Sequence, residues 1–170
     1  VTVLNQTPTA FYSLIDEAID EKPNLFLKYV IFGGEKLLPS KLKTWQEIYP
    51  QTKLINMYGI TETTVHVTYK EIKKEDISKG VSNVGHPIPT TTTYIMDKYC
   101  NLQPIGVIGE IRVGGKGLGR GYIGKEELTR ERFIDNPFVK GEKLYKSGDL
   151  GRLLEGGDIE YLYRSDNQEQ

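Results

Sequence analysis

Residues 53–64 read KLINMYGITETT, a short apolar segment that runs directly into aromatic, hydroxyl and carboxylate side chains. Residues 53–55 have the length and apolar character of a strand. Asn56, Tyr58, Thr61 and Glu62 then follow in quick succession. Polar side chains at the end of a strand are typical of a ligand site when the sheet is open and parallel. The meaning of the stretch therefore depends on the kind of sheet that precedes it.

Two strand and helix units come before this stretch. Residues 1–4 and 29–32 are apolar and predict strands, and each is followed by apolar residues at helical spacing. Thr7 and Pro8 predict the start of the first helix, and residues 39–49 predict the second. Strands joined by helices of this length predict a parallel sheet with right-handed βαβ crossovers.

The second half of the chain has a different pattern, and the change lies near Val81. Short β-prone segments dominate there, and residues 125–133 are the one helical segment that the pattern indicates. The predicted strands are residues 91–96, 110–113, 143–145 and 159–163. This pattern predicts a mainly antiparallel, barrel-like or sandwich β subdomain beside the parallel sheet. We therefore divide this α/β chain into an α/β portion, residues 1–80, and a β-rich subdomain, residues 81–164.

The composition is that of an ordinary globular protein. Hydrophobic residues make up 38% and charged residues 26% of the 170 residues, and the formal net charge is -1. Charges of both signs are interspersed, so nothing favours nucleic acid as a partner. No segment approaches the roughly 20 apolar residues that cross a membrane. The single Cys100 forms no internal disulfide, so we expect a cytoplasmic protein without a membrane partner.

The polar residues after the third strand predict a nucleotide with a divalent cation. The Asn56 amide suits a base edge, and Tyr58 offers a flat face on which a base stacks. The Thr61 hydroxyl suits a phosphate oxygen, and Glu62 suits phosphate only when a cation such as Mg²⁺ stands between the two. Taken singly, Tyr58 also fits an ordinary half-buried aromatic residue and Glu62 a solvated carboxylate.

Five segments, in order, resemble the motifs of one enzyme family. They are FGGEKLLP at residues 32–39, NMYGITETT at 56–64, GEIRVGGKGLGRGYIG at 109–124, LYKSGDLGR at 144–152 and IEYLYRSDNQ at 159–168. Together they resemble the adenylation domains of nonribosomal peptide synthetases, which belong to the adenylate-forming superfamily. Five ordered motifs are far more specific than any one of them. The resemblance implies a fragment of the large N-terminal part of such an enzyme.

The resemblance implies a ligase that activates an amino acid with ATP and Mg²⁺ as aminoacyl-AMP, with release of pyrophosphate. The acyl group would then pass to the phosphopantetheine thiol of a carrier protein. Peptidyl carrier and condensation domains are the implied partners, and a peptide antibiotic is the typical product.

The resemblance also implies roles for residues of this sequence. For the nucleotide it implies Asn56 at the adenine edge, Tyr58 on the adenine ring and Asp149 on both ribose hydroxyls. Thr61 and Glu62 are the implied catalytic residues, Thr61 near the phosphates and Glu62 at the magnesium ion. The other implied residues are Gly33 and Gly34 near adenine and substrate, Tyr161 and Arg164 near the ribose, and Asp166 in a truncated hinge at residues 165–170.

The positions that select the amino acid in this family correspond to Asn5, Ile31, Gly33, Met57, Val65 and His66. In that order they resemble the pattern of threonine-selecting domains. Asn5 and His66 suit the threonine hydroxyl, and the apolar members suit its methyl group. Serine lacks only that methyl, a difference of roughly 1–3 kcal/mol, so some activation of serine is expected. His66 by itself equally fits a structural histidine.

Other interpretations remain open at this point. The family's phosphate-gripping loop, the acid that binds the substrate amine and the catalytic lysine have no counterpart in this sequence, so we expect the isolated chain to be incomplete and inactive. An acyl-CoA ligase of the same superfamily and a non-catalytic nucleotide-binding core are the alternatives. The glycines at 115, 117, 119 and 121 predict turns near the nucleotide side rather than a dinucleotide motif, because no helix opens on them. Residues 70–76 predict a solvated surface.

Overall fold

The structure, a computed structural model, describes residues 1–21 and 23–165. The strands in this part of the chain are β1 (Val3–Gln6), β2 (Tyr29–Phe32), β3 (Lys53–Asn56), β4 (Thr68–Glu71), β5 (Asn83–Pro87), β6 (Thr91–Met96), β7 (Gly109–Gly115), β8 (Phe133–Asp135), β9 (Lys143–Leu153) and β10 (Ile159–Arg164). The α-helices are α1 (Pro8–Glu21), α2 (Lys43–Ile48), α3 (Lys74–Lys79) and α4 (Glu126–Arg132). Short 3-10 turns lie at Pro39–Leu42 and Thr61–Thr63.

The first three strands form the parallel sheet that the sequence predicts. β1 pairs with β2 and β2 with β3, all parallel, and α1 and α2 lie in the connections between them. Asn5, Ile31 and Ile55 are opposite one another across the three strands. Because the strands run in the same direction, their carboxyl ends meet at one edge of the sheet, which is where ligands bind in open parallel sheets.

An apolar cluster joins the three N-terminal helices to one face of the parallel strands. Phe11 of α1 packs edge-to-face on Phe32 of β2 and on Trp45 of α2, with ring centroids 5.0 and 4.7 Å apart. None of these three side chains is more than 1% exposed, and Ile77 of α3 belongs to the same cluster. Burial of one such side chain contributes roughly 1.5–3 kcal/mol, so the cluster holds the strand ends in fixed relative positions.

From β4 onward the sheet is antiparallel, as the pattern of the second half predicts. β4 pairs antiparallel with both β3 and β5, so a single sheet of ten strands runs through the described chain. Its order is β1-β2-β3-β4-β5-β10-β9-β7-β6, and β8 pairs with β9. A second apolar cluster in this part includes Tyr58, Val67, Ile111 and Ile159. The aromatic residue of the strand-end motif is therefore a member of the second core.

Several boundaries differ from the sequence prediction. The first strand begins at Val3 and extends to Gln6, two residues beyond the predicted end at Leu4. The stretch predicted as a solvated surface contains the end of β4 and the start of α3, because Ile72 and Ile77 turn into the first apolar cluster. The predicted helix at residues 39–49 is a 3-10 turn followed by α2.

Some predictions lie outside these observations. The division of the chain at residue 80 and the cytoplasmic location stay predictions. The predicted hinge residue, Asp166, lies outside the described residues. Among the described residues, no helix has the length and apolar character needed to cross a membrane.

Candidate functional site

The loop after β3 is closed at its base by main-chain hydrogen bonds. The Tyr58 carbonyl accepts hydrogen bonds from the amides of Val67 and Thr68, at 2.7 and 3.0 Å. Gly59 lies so close to the returning chain that a Cβ atom there would stand 1.7 Å from the Val65 carbonyl oxygen. Only glycine fits such a crossing, so this position is required by packing, and it brings both ends of the motif together.

Two consecutive residues with left-handed backbone reverse the chain at the tip of this loop. The φ angles are 61° at Thr64 and 66° at Val65, and such conformations cost of order 1–3 kcal/mol each for non-glycine residues. The Val65 amide donates to the Ile60 carbonyl at 3.1 Å, and the Thr64 hydroxyl donates to the Gly117 carbonyl at 2.6 Å. These bonds hold the reversal, which leaves Val65 and His66 in the wall of a cleft.

Asp149 lies at a bulge within β9. The register of β9 against β7 shifts around Ile111, where three residues of β9 oppose one residue of β7. The Ser147 hydroxyl donates to the Ile111 carbonyl at 2.5 Å and accepts from the Asp149 amide at 2.9 Å, and Gly148 has a φ of 75°. A bulge redirects a side chain without ending the strand. The predicted strand end at residue 145 is therefore wrong, because the strand continues through the bulge to Leu153.

Two side chains from distant parts of the sequence hold the Asp149 carboxylate. The Tyr58 hydroxyl donates to Asp149 Oδ2 at 2.7 Å, and Arg164 Nη1 lies 3.5 Å from Oδ1. Burial, followed by the neighbouring Asp149 charge, raises the pKa of Tyr58 well above its usual value. The phenol therefore keeps its proton and remains the donor. Tyr161 lies beside it, with the two ring centroids 5.8 Å apart.

Asn56 lies at the same edge and is 2% exposed. Its Nδ2 donates to the Asn83 carbonyl at 2.9 Å, and Asn83 Nδ2 donates to Asp158 Oδ2 at 2.9 Å. The amide nitrogen that the sequence assigns to a base edge is thus bonded to β5. A bond of this kind fixes the orientation of the Asn56 amide at the cleft wall.

The Glu62 carboxylate lies close to two phenol groups from the second half of the chain. Tyr122 Oη lies 2.6 Å and Tyr145 Oη 2.9 Å from Glu62 Oε1. Partial burial acts to raise the pKa of Glu62, but the hydrogen bonds, first that from Tyr122, outweigh it and lower the pKa below its usual value. Glu62 is therefore ionised at neutral pH.

Two clefts lie at this edge of the sheet and share a wall. The Tyr58 cleft, of about 200 Å³, is also lined by Asn56, Asp149 and Tyr161. The His66 cleft, of about 460 Å³, is also lined by Asn5, Gly33, Thr61, Glu62 and Val65. The residues common to both are Gly34, Met57, Gly59, Ile60 and Arg164. The shared wall makes the two clefts neighbouring compartments of one site.

The structure thus gathers the predicted site residues at these clefts, with two exceptions. Ile31 lies on β2, opposite Asn5 of β1, and lines neither cleft. Asp166 lies outside the described residues. The roles of all these residues stay predictions.

Sequence reasoning missed four residues at the site. Lys36 lines the Tyr58 cleft and its Nζ donates to the Leu162 carbonyl at 2.8 Å, while Glu35 Oε2 accepts from the Thr9 amide at 3.1 Å, in the first turn of α1. These two follow directly after the glycine pair, and that position was the available signal. The others are Tyr122 and Tyr145, which have no local relation in sequence to Glu62.

The sequence was compared with known families and proteins. The family described as AMP-binding enzyme matches residues 1–123. The chain belongs to the AMP-binding enzyme family. This AMP-binding chain is 54% identical over 168 residues to a plipastatin synthase protein of Bacillus subtilis (strain 168), covering 99% of the chain and 7% of that protein. It is 47% identical over 176 residues to the dimodular nonribosomal peptide synthase of the same strain, again covering 99% and 7%.

A solved structure gives the same result for the fold. The AMP-binding chain superposes with a TM-score of 0.88 and 26% identity on PA1221, an NRPS protein containing adenylation and PCP domains, covering 99% of this chain and 34% of that one. The predicted resemblance to adenylation domains of nonribosomal peptide synthetases is confirmed by these matches. The chain spans only a small part of the curated relatives it matches, 7% of each of these two.

Proposed function

We propose that this chain supplies the nucleotide and amino acid sites of a ligase that converts an amino acid and ATP into aminoacyl-AMP and pyrophosphate. The observation that carries the proposal is the wall shared by the Tyr58 cleft and the His66 cleft. A reaction that joins a carboxylate to a nucleotide phosphate needs both reactants side by side, because orientation removes much of the entropic barrier.

The lining of the Tyr58 cleft supports its assignment to adenosine. The Tyr58 and Tyr161 rings offer aromatic surface for a base, and such stacking is worth roughly 1–3 kcal/mol per base. Asp149 is a buried carboxylate acceptor of the kind that binds ribose hydroxyls in nucleotide sites. Asn56 is assigned to the adenine edge, Gly33 and Gly34 to close approach of adenine and substrate, and Arg164 to the ribose.

The residues present fit a magnesium ion that is shared with the nucleotide. Within the described residues, no group of three or more His, Cys, Asp or Glu side chains forms a protein-only metal site. Mg²⁺ is typically held by one or two carboxylates together with substrate phosphates, and ionised Glu62 meets that requirement. When bound, Mg²⁺ supplies positive charge that offsets the charge of the triphosphate.

In the proposed reaction an oxygen of the substrate carboxylate forms a bond to the α-phosphorus, and the bond from that phosphorus to pyrophosphate breaks. Thr61, at the start of the 3-10 turn, is assigned to hydrogen bonding with a phosphate oxygen. Glu62 is assigned to the metal, and the shared wall near Gly59 and Arg164 is where the two reactants meet. Charge that develops on the phosphoryl group requires preorganised positive groups, and the catalytic lysine of the family is not among the residues matched here.

A second step follows from the relatives, which are peptide synthetases. In it the thiol of a phosphopantetheine group on a carrier domain attacks the acyl carbon, a thioester forms and AMP leaves. Peptidyl carrier and condensation domains of the parent protein are the proposed partners, and the product is a peptide of the antibiotic class. The division at residue 80 separates the part with the amino acid pocket from the part with the ribose residue.

We assign L-threonine as the amino acid substrate. The His66 cleft combines polar side chains, Asn5 and His66, with the apolar Met57 and Val65. A site that spends polar groups on a substrate hydroxyl discriminates strongly against analogues that lack it. Ile31, next to Asn5 in the sheet, is assigned to the same wall behind the cleft.

The test is ATP–pyrophosphate exchange by the full-length protein that carries this chain, with each amino acid supplied in turn. We expect the highest rate with threonine and a lower rate with serine. Exchange with a different amino acid and none with threonine would overturn the substrate assignment. Activity only with fatty or aryl acids and coenzyme A would favour an acyl-CoA ligase. ATP binding without exchange for any acid would favour a non-catalytic nucleotide-binding core.

A further inference from the structure

Three oxygen atoms from distant parts of the chain form a tight triangle at the edge of the His66 cleft. Tyr122 Oη and Tyr145 Oη lie 2.6 and 2.9 Å from Glu62 Oε1, and 2.9 Å from each other. The sequence separations from Glu62 are 60 and 83 residues. A carboxylate that meets two hydroxyls on one oxygen has far fewer accessible orientations than a solvated one.

A count of hydrogens shows which bonds the triangle contains. An ionised carboxylate has no hydrogen to donate and each phenol has one, so at most two of the three contacts are hydrogen bonds at a time. Hydrogen bonds to a charged acceptor are the stronger kind. Both phenols therefore donate to Glu62 Oε1, and the contact between the two phenols is the one left without a hydrogen.

The two phenol rings are themselves held in position by a shared neighbour. Phe133 packs edge-on against Tyr122 and Tyr145, with ring centroids 5.8 and 5.0 Å away. Phe133 is 7% exposed. The Tyr122 main chain is also anchored, since its amide donates to Thr129 Oγ1 at 2.9 Å. The hydroxyls are therefore presented by rings that have little freedom to turn.

The glycine-rich segment that leads to Tyr122 holds the main chain of the same turn. The Gly119 amide donates to the Glu62 carbonyl at 2.7 Å. A Cβ at Gly119 would lie 3.1 Å from that carbonyl, and a Cβ at Gly117 would lie 3.2 Å from the Thr63 carbonyl. The glycines thus allow close backbone docking on the Thr61–Thr63 turn, and both the main chain and the side chain of Glu62 are held from the second half of the chain.

We propose that Tyr122 and Tyr145 are positioning residues that hold the Glu62 carboxylate in one orientation for the divalent cation. The inference rests on the proposed function, because the cation at Glu62 belongs to it. Partners that orient a metal ligand typically account for 10- to 100-fold in metal affinity. The structure shows where this restraint originates: both hydroxyls come from the β-rich half, whereas Glu62 follows the parallel strands.

The test measures Mn²⁺ binding, as a spectroscopic probe for Mg²⁺, by electron paramagnetic resonance of the full-length protein with ATP. We expect Y122F and Y145F each to weaken Mn²⁺ binding by about 10-fold and the double variant by up to about 100-fold. In exchange assays the Mg²⁺ concentration for half-maximal rate rises, while the KM for the amino acid stays unchanged. Phenylalanine preserves both rings and their packing on Phe133, so the single variants are expected to fold.

Two controls separate this inference from the proposed function. Y94F removes a phenol hydroxyl from a ring that packs on Phe138, with centroids 4.9 Å apart, and should leave Mn²⁺ binding unchanged. E62Q removes the carboxylate itself. If E62Q binds Mn²⁺ as the wild type does, the metal assignment of the proposed function fails. If E62Q weakens binding while Y122F, Y145F and the double variant do not, the positioning role alone is overturned.

Discussion

The Tyr58 hydroxyl donates a hydrogen bond of 2.7 Å to the Asp149 carboxylate, and the two residues are 91 positions apart in the sequence. The bond joins the end of the parallel strands to the bulge in β9. Both side chains are almost fully buried, at 8% and 3% exposed. The proposed base-stacking ring and the proposed ribose-binding carboxylate are therefore one hydrogen-bonded unit.

Tyr58→Phe should destabilise the fold and weaken ATP binding. The ring remains for packing, but the buried Asp149 carboxylate loses a donor, which costs roughly 1–3 kcal/mol. Thermal unfolding and ATP titration measure the two effects. Tyr69→Phe, which removes a hydroxyl from an exposed ring on β4, is the matched control and should change neither. Wild-type stability of Tyr58→Phe would show that the bond contributes nothing.

Gly59→Ala should disrupt the loop between β3 and β4. The added methyl would stand 1.7 Å from the Val65 carbonyl oxygen, so the returning chain has to move. Overpacking of this kind typically costs about 1–3 kcal/mol or more, and urea unfolding measures it. Gly156→Ala is the control, because a Cβ there meets no atom within 4 Å. Equal stability of the two variants would contradict the close crossing of the chain at Gly59.

Asp158→Asn should lower stability at neutral pH by about 1 kcal/mol, because Asp158 Oδ2 accepts from Lys70 at 2.7 Å and from Asn83 at 2.9 Å. Partial burial acts to raise the pKa of Asp158, but the bond from Lys70 and then that from Asn83 lower it. For a lowered pKa the stabilisation is present above the unfolded pKa and is lost as the pH falls through the folded value.

The difference between wild type and Asp158→Asn should therefore shrink below about pH 4, near the usual pKa of aspartate. Unfolding temperatures measured from about pH 7 down to about pH 2 check this. Asp135→Asn breaks a pair with Lys143 whose side chains are 91% and 53% exposed, and serves as the control with little effect. A difference that grows toward acid pH would be the wrong sign for this account.

Asn5→Ala and His66→Ala should reduce threonine selectivity before they reduce ATP binding. Both residues line the His66 cleft and neither lines the Tyr58 cleft. Loss of one hydrogen bond to the substrate hydroxyl is expected to lower kcat/KM for threonine about 10-fold relative to an apolar analogue. The chain has two histidines, so His86→Ala, at an exposed position, is the control. Wild-type selectivity in both cleft variants would refute the pocket assignment.

The sequence predicted the parallel part of the fold well because local patterns determine it. Apolar runs such as Tyr29–Phe32 form short strands, and the helical spacing around Phe11 and Trp45 matches the cluster in which they are buried. The strand ends follow from the same local patterns, and for that reason the predicted site residues that follow them converge. The β-rich half was less accurate, because Gly148 reads as a strand breaker although it lies at a bulge inside β9.

By itself the sequence determined the family, the parallel strand order and the positions of the motif residues, since each of these depends on residues close together in the chain. Only the tertiary structure decided that Tyr58 donates to Asp149 and that Tyr122 and Tyr145 meet Glu62. These contacts join segments 60 to 91 residues apart. No local spacing specifies them, because they arise where β3, β7 and β9 are brought together in one continuous sheet.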